Sequence, residues 1–368
     1  MKIEENSSLK SYNTFGIDAR ARWFGAFGNM DELGELLGFA SEGASAPATS
    51  SSALTFSSSR PLPILILGGG SNILFTMDFP GVVLKNGIMG TELIREDEKH
   101  VWVRVGAGES WHGFVQYCLA RNWAGVENLS LIPGNVGATP MQNIGAYGVE
   151  IKDVFYELQA WSLRENKVYT LSVNDCDFGY RDSVFKQRYK DQFVILNVVY
   201  RLNKTPKFHT EYGAIKEELD KMGVRELSIQ AISAAVIRIR SSKLPDPKEI
   251  GNAGSFFKNP VVTAERFAAL QVEFPGIVGY QAPSVGSPTT DDALSGTVKL
   301  AAGWLIEQCG WKGYCKGDAG VHARQALVLV NYGNATGHEL FGLSGEILQS
   351  VKKKFGVDLE REVNIVPN

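Results

Sequence analysis

The sequence of 368 residues lacks several features that would assign it to a specialised class of protein. No apolar run approaches the ~20 residues that a membrane-spanning helix needs, and the acidic, polar N-terminus lacks the charged-then-apolar order of a signal peptide. The net charge of −3 creates no positive field that would attract nucleic acid or an anionic membrane. These absences predict a cytoplasmic protein with no nucleic-acid partner and no membrane insertion.

Cysteine is scarce as well, which limits both disulfides and metal sites. Cys118, Cys176, Cys309 and Cys315 form no C-x-x-C pair and show no disulfide-like spacing. Two of them, Cys309 and Cys315, could be grouped with His322 as metal ligands, but the spacing fits no common zinc pattern. The five histidines show no pairing typical of a metal site or a catalytic triad. We therefore predict buried free thiols and no bound metal.

The remaining composition is that of a globular protein with more than one domain. Hydrophobic residues make up 44% of the chain and charged residues 21%. The length is enough for about two or three domains, each with its own core. Residues 41–60 are rich in serine and alanine and offer little to bury, which predicts a flexible surface insertion.

The stretch Leu131–Glu150 is the most unusual part of the sequence, because four glycines and two prolines surround Gln142, Asn143 and Tyr147. Glycine at this density disfavours a helix by about 1 kcal/mol per position relative to alanine, and Gly and Pro also interrupt a strand. Such a backbone can turn tightly, lie close to a large ligand and present N–H groups to phosphate oxygens. The stretch is typical of a cofactor-binding loop, although a series of tight turns between strands would have the same composition.

A second glycine loop, Gly68–Asn72, follows the short apolar strand Pro61–Leu67. It does not match the dinucleotide fingerprint G-x-G-x-x-G, because Ile73 stands where the third glycine is needed and no strong helix pattern follows. It also lacks the terminal Gly-Lys-Ser/Thr of a P-loop. The loop is compatible with phosphate binding but matches neither standard nucleotide motif.

Hydrophobic spacing predicts several regular elements that position these loops. Helices are expected at Met30–Phe39, Ser110–Leu119, Glu226–Arg240 and Lys299–Cys309, and a closing strand at Leu359–Ile365. Strands alternate with them through most of the chain, and no internal repeat is present.

The order of five motifs gives the sequence its resemblance to a known family. Gly68–Asn72, Pro133–Gly148, Gly179–Lys186, Gly251–Pro260 and Lys299–Gly313 occur in the order found in UDP-N-acetylenolpyruvoylglucosamine reductases. These flavoenzymes complete the synthesis of UDP-N-acetylmuramate for peptidoglycan. The resemblance covers nearly the whole chain, and the sequence is similar to the form with a tyrosine-bearing loop, which here contains Tyr212.

The resemblance implies an α+β fold with three domains. Residues 1–88 and 89–228 would form a two-part FAD-binding region of the vanillyl-alcohol-oxidase/PCMH type. Residues 229–368 would form a C-terminal α+β substrate-binding domain, whose final strand returns to the active site.

It also implies the ligands, which are non-covalent FAD, NADPH as reductant and a UDP-sugar substrate. The two glycine loops would hold the FAD pyrophosphate and flavin through backbone N–H groups, including those of Gly134–Ala138. The implied cofactor-binding residues are Gly68, Gly69, Gly70, Ser71, Asn72, Pro133, Gly134, Gly137, Ala138, Asn143, Ala146, Tyr147 and Arg240.

Three residues match the catalytic positions of the family. When hydride reaches the terminal carbon of the enolpyruvyl double bond, negative charge develops on the neighbouring carbon and spreads into its carboxylate. Arg181 matches the residue that stabilises this charge, and its planar guanidinium suits a carboxylate. Ser255 matches the residue that protonates the carbanion, a base strong enough for a weak acid to serve. Glu362 matches a second polarising residue.

The pattern of the last strand leaves one choice open. Glu360 and Glu362 are two residues apart and share one face of a strand, so the spacing does not choose between them, whereas the resemblance favours Glu362. The sequence departs from the family where Arg361 replaces the usual proline and Asn364 a usual basic residue. The implied substrate-binding residues are Tyr180, Tyr212, Lys243, Asn259 and Lys299.

Two other functions remain possible on the sequence alone. A flavin oxidase of the same fold would use oxygen, and many such oxidases tether the flavin through a histidine, for which His112 is the nearest candidate to the glycine loops. A UDP-sugar-binding protein without turnover is the second alternative, although Arg181, Ser255 and Glu362 are all retained. We predict a monomeric enzyme.

Overall fold

A computed structural model describes residues 2–41, 61–212, 214–281 and 296–367. Apart from its first residue, the predicted serine-rich insertion lies outside the described residues. The chain divides into two compact units. The first unit contains residues 1–9, 19–70 and 78–240, and the second contains residues 10–18, 71–77 and 241–368. The three-domain division stays a prediction.

The secondary structure mixes short strands with helices. The helices are α1 (Met30–Ser41), α2 (Trp111–Leu119), α3 (Val173–Cys176), α4 (Ile215–Lys221), α5 (Ile229–Lys243), α6 (Ala264–Glu273), α7 (Ala302–Gln308) and α8 (Gly337–Phe355). The strands are β1 (Ile3–Ser8), β2 (Arg20–Phe27), β3 (Ile64–Leu67), β4 (Ile73–Phe75), β5 (Phe79–Asn86), β6 (Thr91–Glu96), β7 (His100–Gly106), β8 (Gly145–Ala146), β9 (Val149–Glu150), β10 (Phe155–Ser162), β11 (Lys167–Ser172), β12 (Phe193–Asn203), β13 (Gly251–Ser255), β14 (Val261–Thr263), β15 (Gly279–Gln281), β16 (Thr297–Leu300), β17 (Cys315–Lys316), β18 (Ala319–Val321), β19 (Val328–Asn331) and β20 (Asn364–Val366). No described helix has both the length and the apolar character needed to cross a membrane.

The first unit is built on two sheets. The strand order β1-β2-β5-β3 is antiparallel only between β1 and β2, whereas β11-β10-β12-β7-β6 is antiparallel throughout. Strand β12 is central in the second sheet, and most of its residues are buried, which suits its run of β-branched residues. In α1, Leu33, Leu36 and Ala40 are buried at helical spacing, as the sequence predicts. Strands β7 and β12 of the second sheet lie next to residues 136–138 of the glycine-rich stretch.

The second unit has its core between a long helix and a sheet. Helix α8 begins with a capping box, in which the Thr336 hydroxyl accepts from the N–H of Glu339 and the Glu339 carboxylate accepts in return from the N–H of Thr336. It ends at Gly356, which has a left-handed conformation (φ +64°). Its buried face, which includes Leu340 and Ile347, lies against the sheet β13-β19-β18-β17. The C-terminal strand β20 pairs in parallel with β4.

A buried carboxylate in the first unit should make its stability depend on pH. Glu127 is 1% exposed, and burial raises the pKa of its carboxyl above the ordinary value of 4.5, although the N–H of Gly125 donates to it at 2.6 Å. Since the pKa is raised on folding, this group favours the folded state below its unfolded pKa, and that contribution is lost as pH rises through the folded pKa. We expect Glu127→Gln, which keeps the shape and the acceptor, to raise Tm at about pH 8 and to change it little at about pH 4. Equal Tm differences at both pH values would contradict this expectation.

Candidate active site

The two glycine loops lie against each other within the first unit. A Cβ atom built on Gly69 would lie 2.6 Å from Oδ1 of Asn135 and 2.9 Å from Cα of Gly134. Such contacts are shorter than a side chain allows, so the close approach requires glycine. The Asn135 amide is held in turn by the carbonyl of Gly108, to which its Nδ2 donates. The loops therefore form one continuous backbone surface, as expected for a loop that holds a large ligand.

The hydrogen bonds of this surface correct one prediction. The N–H groups of Val136, Gly137 and Ala138 donate to the carbonyls of Glu109, Ala107 and Asn135. They are therefore used within the fold, and the prediction that Gly134–Ala138 as a whole supplies donors to a phosphate was wrong. In the described part of the chain, the N–H groups of Gly69, Gly134 and Asn135 donate to no protein acceptor. These three are among the donors that remain for a ligand.

The fit of these loops predicts the effect of adding one methyl group. In Gly69→Ala the new Cβ would push the two loops apart, and we expect the dissociation constant of FAD to rise about tenfold. Activity per bound flavin should stay near that of the wild type. The measurement is a fluorescence titration of the apoprotein with FAD.

A matched control is Gly34→Ala, because Gly34 lies exposed in α1 and a Cβ there meets nothing within 4 Å. This control should bind FAD normally and be stabilised by about 0.5–1 kcal/mol. Equal FAD affinity of the two variants would show that the loops do not bind the cofactor.

A hydrogen bond joins Arg181 to Asn143, which lies within the glycine-rich stretch. Asn143 is fully buried, and its Nδ2 donates to Oε2 of Glu150 at 3.0 Å and to the carbonyl of Gly179 at 2.9 Å. Its Oδ1 accepts from the N–H of Lys152 at 3.1 Å. The amide of this predicted flavin-binding residue is therefore occupied by the protein, which leaves its backbone for any ligand contact.

The Arg181 guanidinium donates to two carbonyls of the glycine-rich stretch, those of Asn143 at 3.4 Å and of Gly145. Its Cζ also lies 5.6 Å from the ring centroid of Tyr180. Asn143, Tyr147 and Arg181 all have left-handed backbone conformations, with φ of +44°, +51° and +53°. Such conformations are costly for side-chain-bearing residues and are concentrated at functional sites. The fold therefore fixes Arg181 on the loop predicted to bind the flavin.

A positively charged group is buried next to the same stretch. Burial lowers the pKa of Arg240, whose other electrostatic neighbours are Tyr147 and the like-charged Arg181. An arginine stays charged despite such a shift, and among the described residues its buried Nε has no hydrogen-bond partner. An unpaired buried donor on a cation is expensive unless a ligand satisfies it. The position suits an electron-rich ligand and agrees with the predicted flavin contact.

His112, the candidate for a covalent flavin link, is oriented by the protein. Its Nδ1 accepts a hydrogen bond from the N–H of Leu131 at 3.0 Å. Burial lowers the pKa of His112, and the nearby charge of Arg240 lowers it further. Both effects favour the neutral imidazole, with Nδ1 already engaged.

Asn128 was missed by the sequence analysis, although it connects the glycine-rich stretch to the tyrosine-bearing loop. It is 1% exposed, and its Nδ2 donates to the carbonyls of Tyr147 at 3.0 Å and of His209 at 2.9 Å. The only signal in the sequence is a group of polar residues among the apolar residues of Val126–Ile132, which is too weak to predict this connection.

In the second unit, Ser255 lies at the exposed end of β13. The register of β13 against β19 shifts between Asn252 and Ser255, and Gly254 between them has φ of +69°. An irregularity of this kind re-aims the side chains of a strand. Phe256 and Phe257 follow directly and are fully buried, so they anchor the serine from one side. Ser255 thus combines an accessible hydroxyl with a fixed backbone.

Glu362 lies on the segment that pairs with this strand end. Its N–H donates to the carbonyl of Phe256 at 2.8 Å, and its own carbonyl accepts from Nδ2 of Asn72 at 3.2 Å. These bonds lie within the second unit and place the backbone of Glu362 beside the residue that follows Ser255. The predicted proton donor and the predicted polarising carboxylate are therefore on neighbouring segments.

The structure also distinguishes the two glutamates that the strand pattern left open. The side chain of Glu360 is 73% exposed and forms an ion pair with Lys258 at 3.1 Å, whereas Glu362 is partly buried. Arg361 between them points to α8, where its Nε donates to Oγ of Ser344 at 2.7 Å. The arginine that replaces the usual proline is thus accommodated by α8, and the partly buried Glu362 remains the stronger candidate.

The other predicted substrate residues of the second unit are spread over three elements. Lys243 is the last residue of α5. Asn259 accepts from the N–H of Ala302 at 2.9 Å through its Oδ1, which ties it to the start of α7. Lys299 belongs to strand β16 and faces Val261 of β14 across the sheet, so the prediction of a helix from Lys299 was wrong. That helix, α7, begins three residues later because the apolar alternation of Thr297–Leu300 pairs first as a strand.

Two family models match the chain. The model of the C-terminal domain of UDP-N-acetylenolpyruvoylglucosamine reductase matches residues 246–366, and that of an FAD-binding domain matches residues 44–171. Together they confirm the predicted α+β fold class and the FAD cofactor.

Similar proteins match over the whole length. The UDP-N-acetylenolpyruvoylglucosamine reductase of Pseudomonas putida is 47% identical over 362 residues, which is 98% of each chain. That of Chromobacterium violaceum is 48% identical over 367 residues, again 98% of each chain. The crystal structure of the reductase from Thermus caldophilus covers 100% of both chains with a TM-score of 0.63 at 23% identity, which shows a shared fold. Because relatives of this identity span almost the entire chain, the protein belongs to the UDP-N-acetylenolpyruvoylglucosamine reductase family.

Proposed function

We propose that the protein reduces UDP-N-acetylglucosamine enolpyruvate to UDP-N-acetylmuramate, with NADPH as reductant and FAD as a non-covalent cofactor. The observation that carries this proposal is the identity of 46% or more with reductases over nearly the full length of both chains. The resemblance noted from the motifs is confirmed by this similarity.

The residues of the first unit fit FAD. The close approach of Gly69 to Gly134 leaves a bare backbone surface, on which the N–H groups of Gly69, Gly134 and Asn135 can donate to a diphosphate. The buried and unpartnered Nε of Arg240 suits an electron-rich ring system. Bound FAD would supply the hydride transfer that links NADPH to the substrate. The protein's part is to hold the cofactor and to manage the charge and the proton on the substrate.

Arg181 stabilises the negative charge that develops on the enolpyruvyl carboxylate. Its guanidinium is fixed by the carbonyls of Asn143 and Gly145, so no reorganisation is needed as charge develops. The planar fork can donate two parallel hydrogen bonds to a carboxylate. Tyr180 supports the side chain from its ring face.

Ser255 delivers the proton. Its hydroxyl proton moves to the carbon next to the carboxylate, a new C–H bond forms, and the resulting alkoxide regains a proton from water at the exposed strand end. Glu362 polarises the substrate from the neighbouring segment. Tyr212, Lys243, Asn259 and Lys299 bind the nucleotide and sugar.

We also propose that the protein acts in the cytoplasm, as a monomer and without a nucleic-acid partner. The small negative net charge supports the last of these, because it offers no general attraction to polyanions.

The test is NADPH consumption with and without UDP-N-acetylglucosamine enolpyruvate. We expect the substrate to stimulate oxidation and UDP-N-acetylmuramate to form in equal amounts. Stimulated oxygen uptake and hydrogen peroxide formation would indicate the oxidase instead, and a protein that stays colourless with added FAD would exclude both enzymes.

A further inference from the structure

The amide of Asn128 makes the same kind of contact with two separate segments of the first unit. One of its N–H groups has the carbonyl of Tyr147 as acceptor at 3.0 Å, and the carbonyl of His209 lies at 2.9 Å from the same nitrogen. The first carbonyl belongs to the glycine-rich stretch and the second precedes Tyr212 by three residues. Asn128 itself is 1% exposed in the 3₁₀ turn Glu127–Leu129. A rigid, buried side chain therefore joins two loops.

The segment before Tyr212 has little other support. Between Thr205 and Glu211, all of which the structure describes, the carbonyl of His209 is the only backbone group in a hydrogen bond. Phe208 adds apolar packing, but Thr205, Pro206 and Lys207 are exposed. A segment with few bonds opens at low cost, so one buried bond has a large share in holding it.

Tyr212 follows this segment and lies beside the glycine-rich stretch. A Cβ built on Gly148 would lie 3.5 Å from Cβ of Tyr212, so the tyrosine backbone rests on the residue that follows Tyr147. Tyr212 is 46% exposed and is thus accessible to a ligand. Releasing the carbonyl of His209 would free the segment that places this ring.

Only a side-chain amide of this length serves both acceptors. A carboxylate has no N–H to donate and would bring negative charge to two carbonyl oxygens. The Oδ1 atom of Asn128 is buried without a partner in the described structure, which is costly. The amide of Asn128 therefore donates two hydrogen bonds through Nδ2, while its Oδ1 accepts none from the described residues.

We propose that Asn128 is a positioning residue that holds the tyrosine-bearing segment on the glycine-rich stretch and thereby sets the affinity for the nucleotide sugar. The part of this proposal that concerns substrate affinity rests on the function proposed above. Asn128 is buried and is not among the residues proposed to contact FAD or the reacting atoms, so we expect its loss to weaken substrate binding and to change the transfer steps little.

Two measurements on the flavin-loaded full-length enzyme test this. Limited trypsin digestion followed by mass spectrometry reports cleavage after the exposed Lys207, and we expect Asn128→Ala to speed it about tenfold. Steady-state kinetics should show KM for UDP-N-acetylglucosamine enolpyruvate raised about tenfold, with stopped-flow flavin reduction by NADPH within about twofold of the wild type. Asn128→Asp should show the same faster cleavage and raised KM as Asn128→Ala, although it leaves the side-chain volume unchanged.

Asn197 offers a matched control. Its Nδ2 donates to Oε1 of Gln159 at 2.8 Å, and its Oδ1 is likewise buried without a partner among the described residues, but it lies in β12 and no hydrogen bond joins its side chain to either loop. Asn197→Ala should change neither trypsin cleavage after Lys207 nor KM. Should Asn128→Ala fail to retain flavin, Asn128→Ser, which keeps one donor, replaces it.

The outcomes separate the two proposals. Equal cleavage after Lys207 in the Asn128 and Asn197 variants would refute the proposal that Asn128 holds the tyrosine-bearing segment. Faster cleavage in the Asn128 variant with an unchanged KM would refute the role of Asn128 in substrate affinity. If the wild-type enzyme failed to respond to UDP-N-acetylglucosamine enolpyruvate, the proposed function would fail, while the digestion would still decide whether Asn128 holds the segment.

Discussion

Replacing Ser255 by alanine should leave flavin reduction by NADPH nearly unchanged and slow the second half-reaction, reoxidation of the flavin by the enolpyruvyl substrate, about 10³-fold. The hydroxyl is the only group removed, and the backbone at this position is anchored by the buried Phe256 and Phe257. General acid catalysis is needed only after the hydride has reached the substrate, so the loss should be confined to that step. Stopped-flow absorbance of the flavin measures the two half-reactions separately.

The control for this variant is Ser11→Ala, an exposed serine of the second unit that has no proposed role. It should match the wild type in both half-reactions. If Ser255→Ala slowed both half-reactions equally, the defect would lie in the fold or in the flavin environment, and the role of proton donor would be refuted. A solvent isotope effect on the second half-reaction of the wild type, absent from the first, would support it independently.

Local sequence patterns were sufficient to place most of the regular elements. The predicted helix Met30–Phe39 is found as Met30–Ser41, because its leucines repeat at helical spacing over a single buried face. The predicted closing strand Leu359–Ile365 is found only at its end, as β20 (Asn364–Val366). The prediction of a helix beginning at Lys299 was wrong because four residues with alternating apolar side chains before a helix can either extend that helix or pair as a strand. Only the presence of the partner strand determines which of the two forms.

Long-range contacts account for what the sequence could not provide. The parallel pairing of β20 with β4 joins residues that are about 290 positions apart, and the sequence of neither strand indicates which strand it pairs with. The same limit applies to the hydrogen bonds of Val136, Gly137 and Ala138, whose acceptors belong to other parts of the fold. Composition predicted a ligand-binding backbone, but only the hydrogen bonds of the structure show which N–H groups of that backbone are already used.

The candidate catalytic residues came from resemblance to a family, and the structure adds the physical reason for each position. Arg181 has a left-handed conformation that no sequence pattern predicts, yet this conformation accompanies the contact of its guanidinium with the carbonyls of the glycine-rich stretch. Asn128 shows the opposite case. A single buried asparagine has no recognisable motif, and its two acceptors are 19 and 81 residues away.

Glu362→Gln and Glu360→Gln form a matched pair, because both replace a carboxylate by an amide of the same shape two residues apart on one segment. We expect Glu362→Gln to slow the second half-reaction on the order of 10²-fold, since it removes the polarising carboxyl beside the strand end that carries Ser255. Flavin reduction by NADPH should be unaffected. The same stopped-flow experiment measures both steps.

Glu360→Gln should stay within about twofold of the wild type in both steps, because it removes only an exposed ion pair with Lys258, and such pairs contribute little. A reversed result, with Glu360→Gln impaired and Glu362→Gln active, would show that Arg361 turns the segment differently during turnover from its orientation towards Ser344. Equal impairment would mean that the negative charge of the segment matters rather than one carboxylate. Because the alternation of this segment places Arg361 on α8, the structure favours a loss confined to Glu362→Gln.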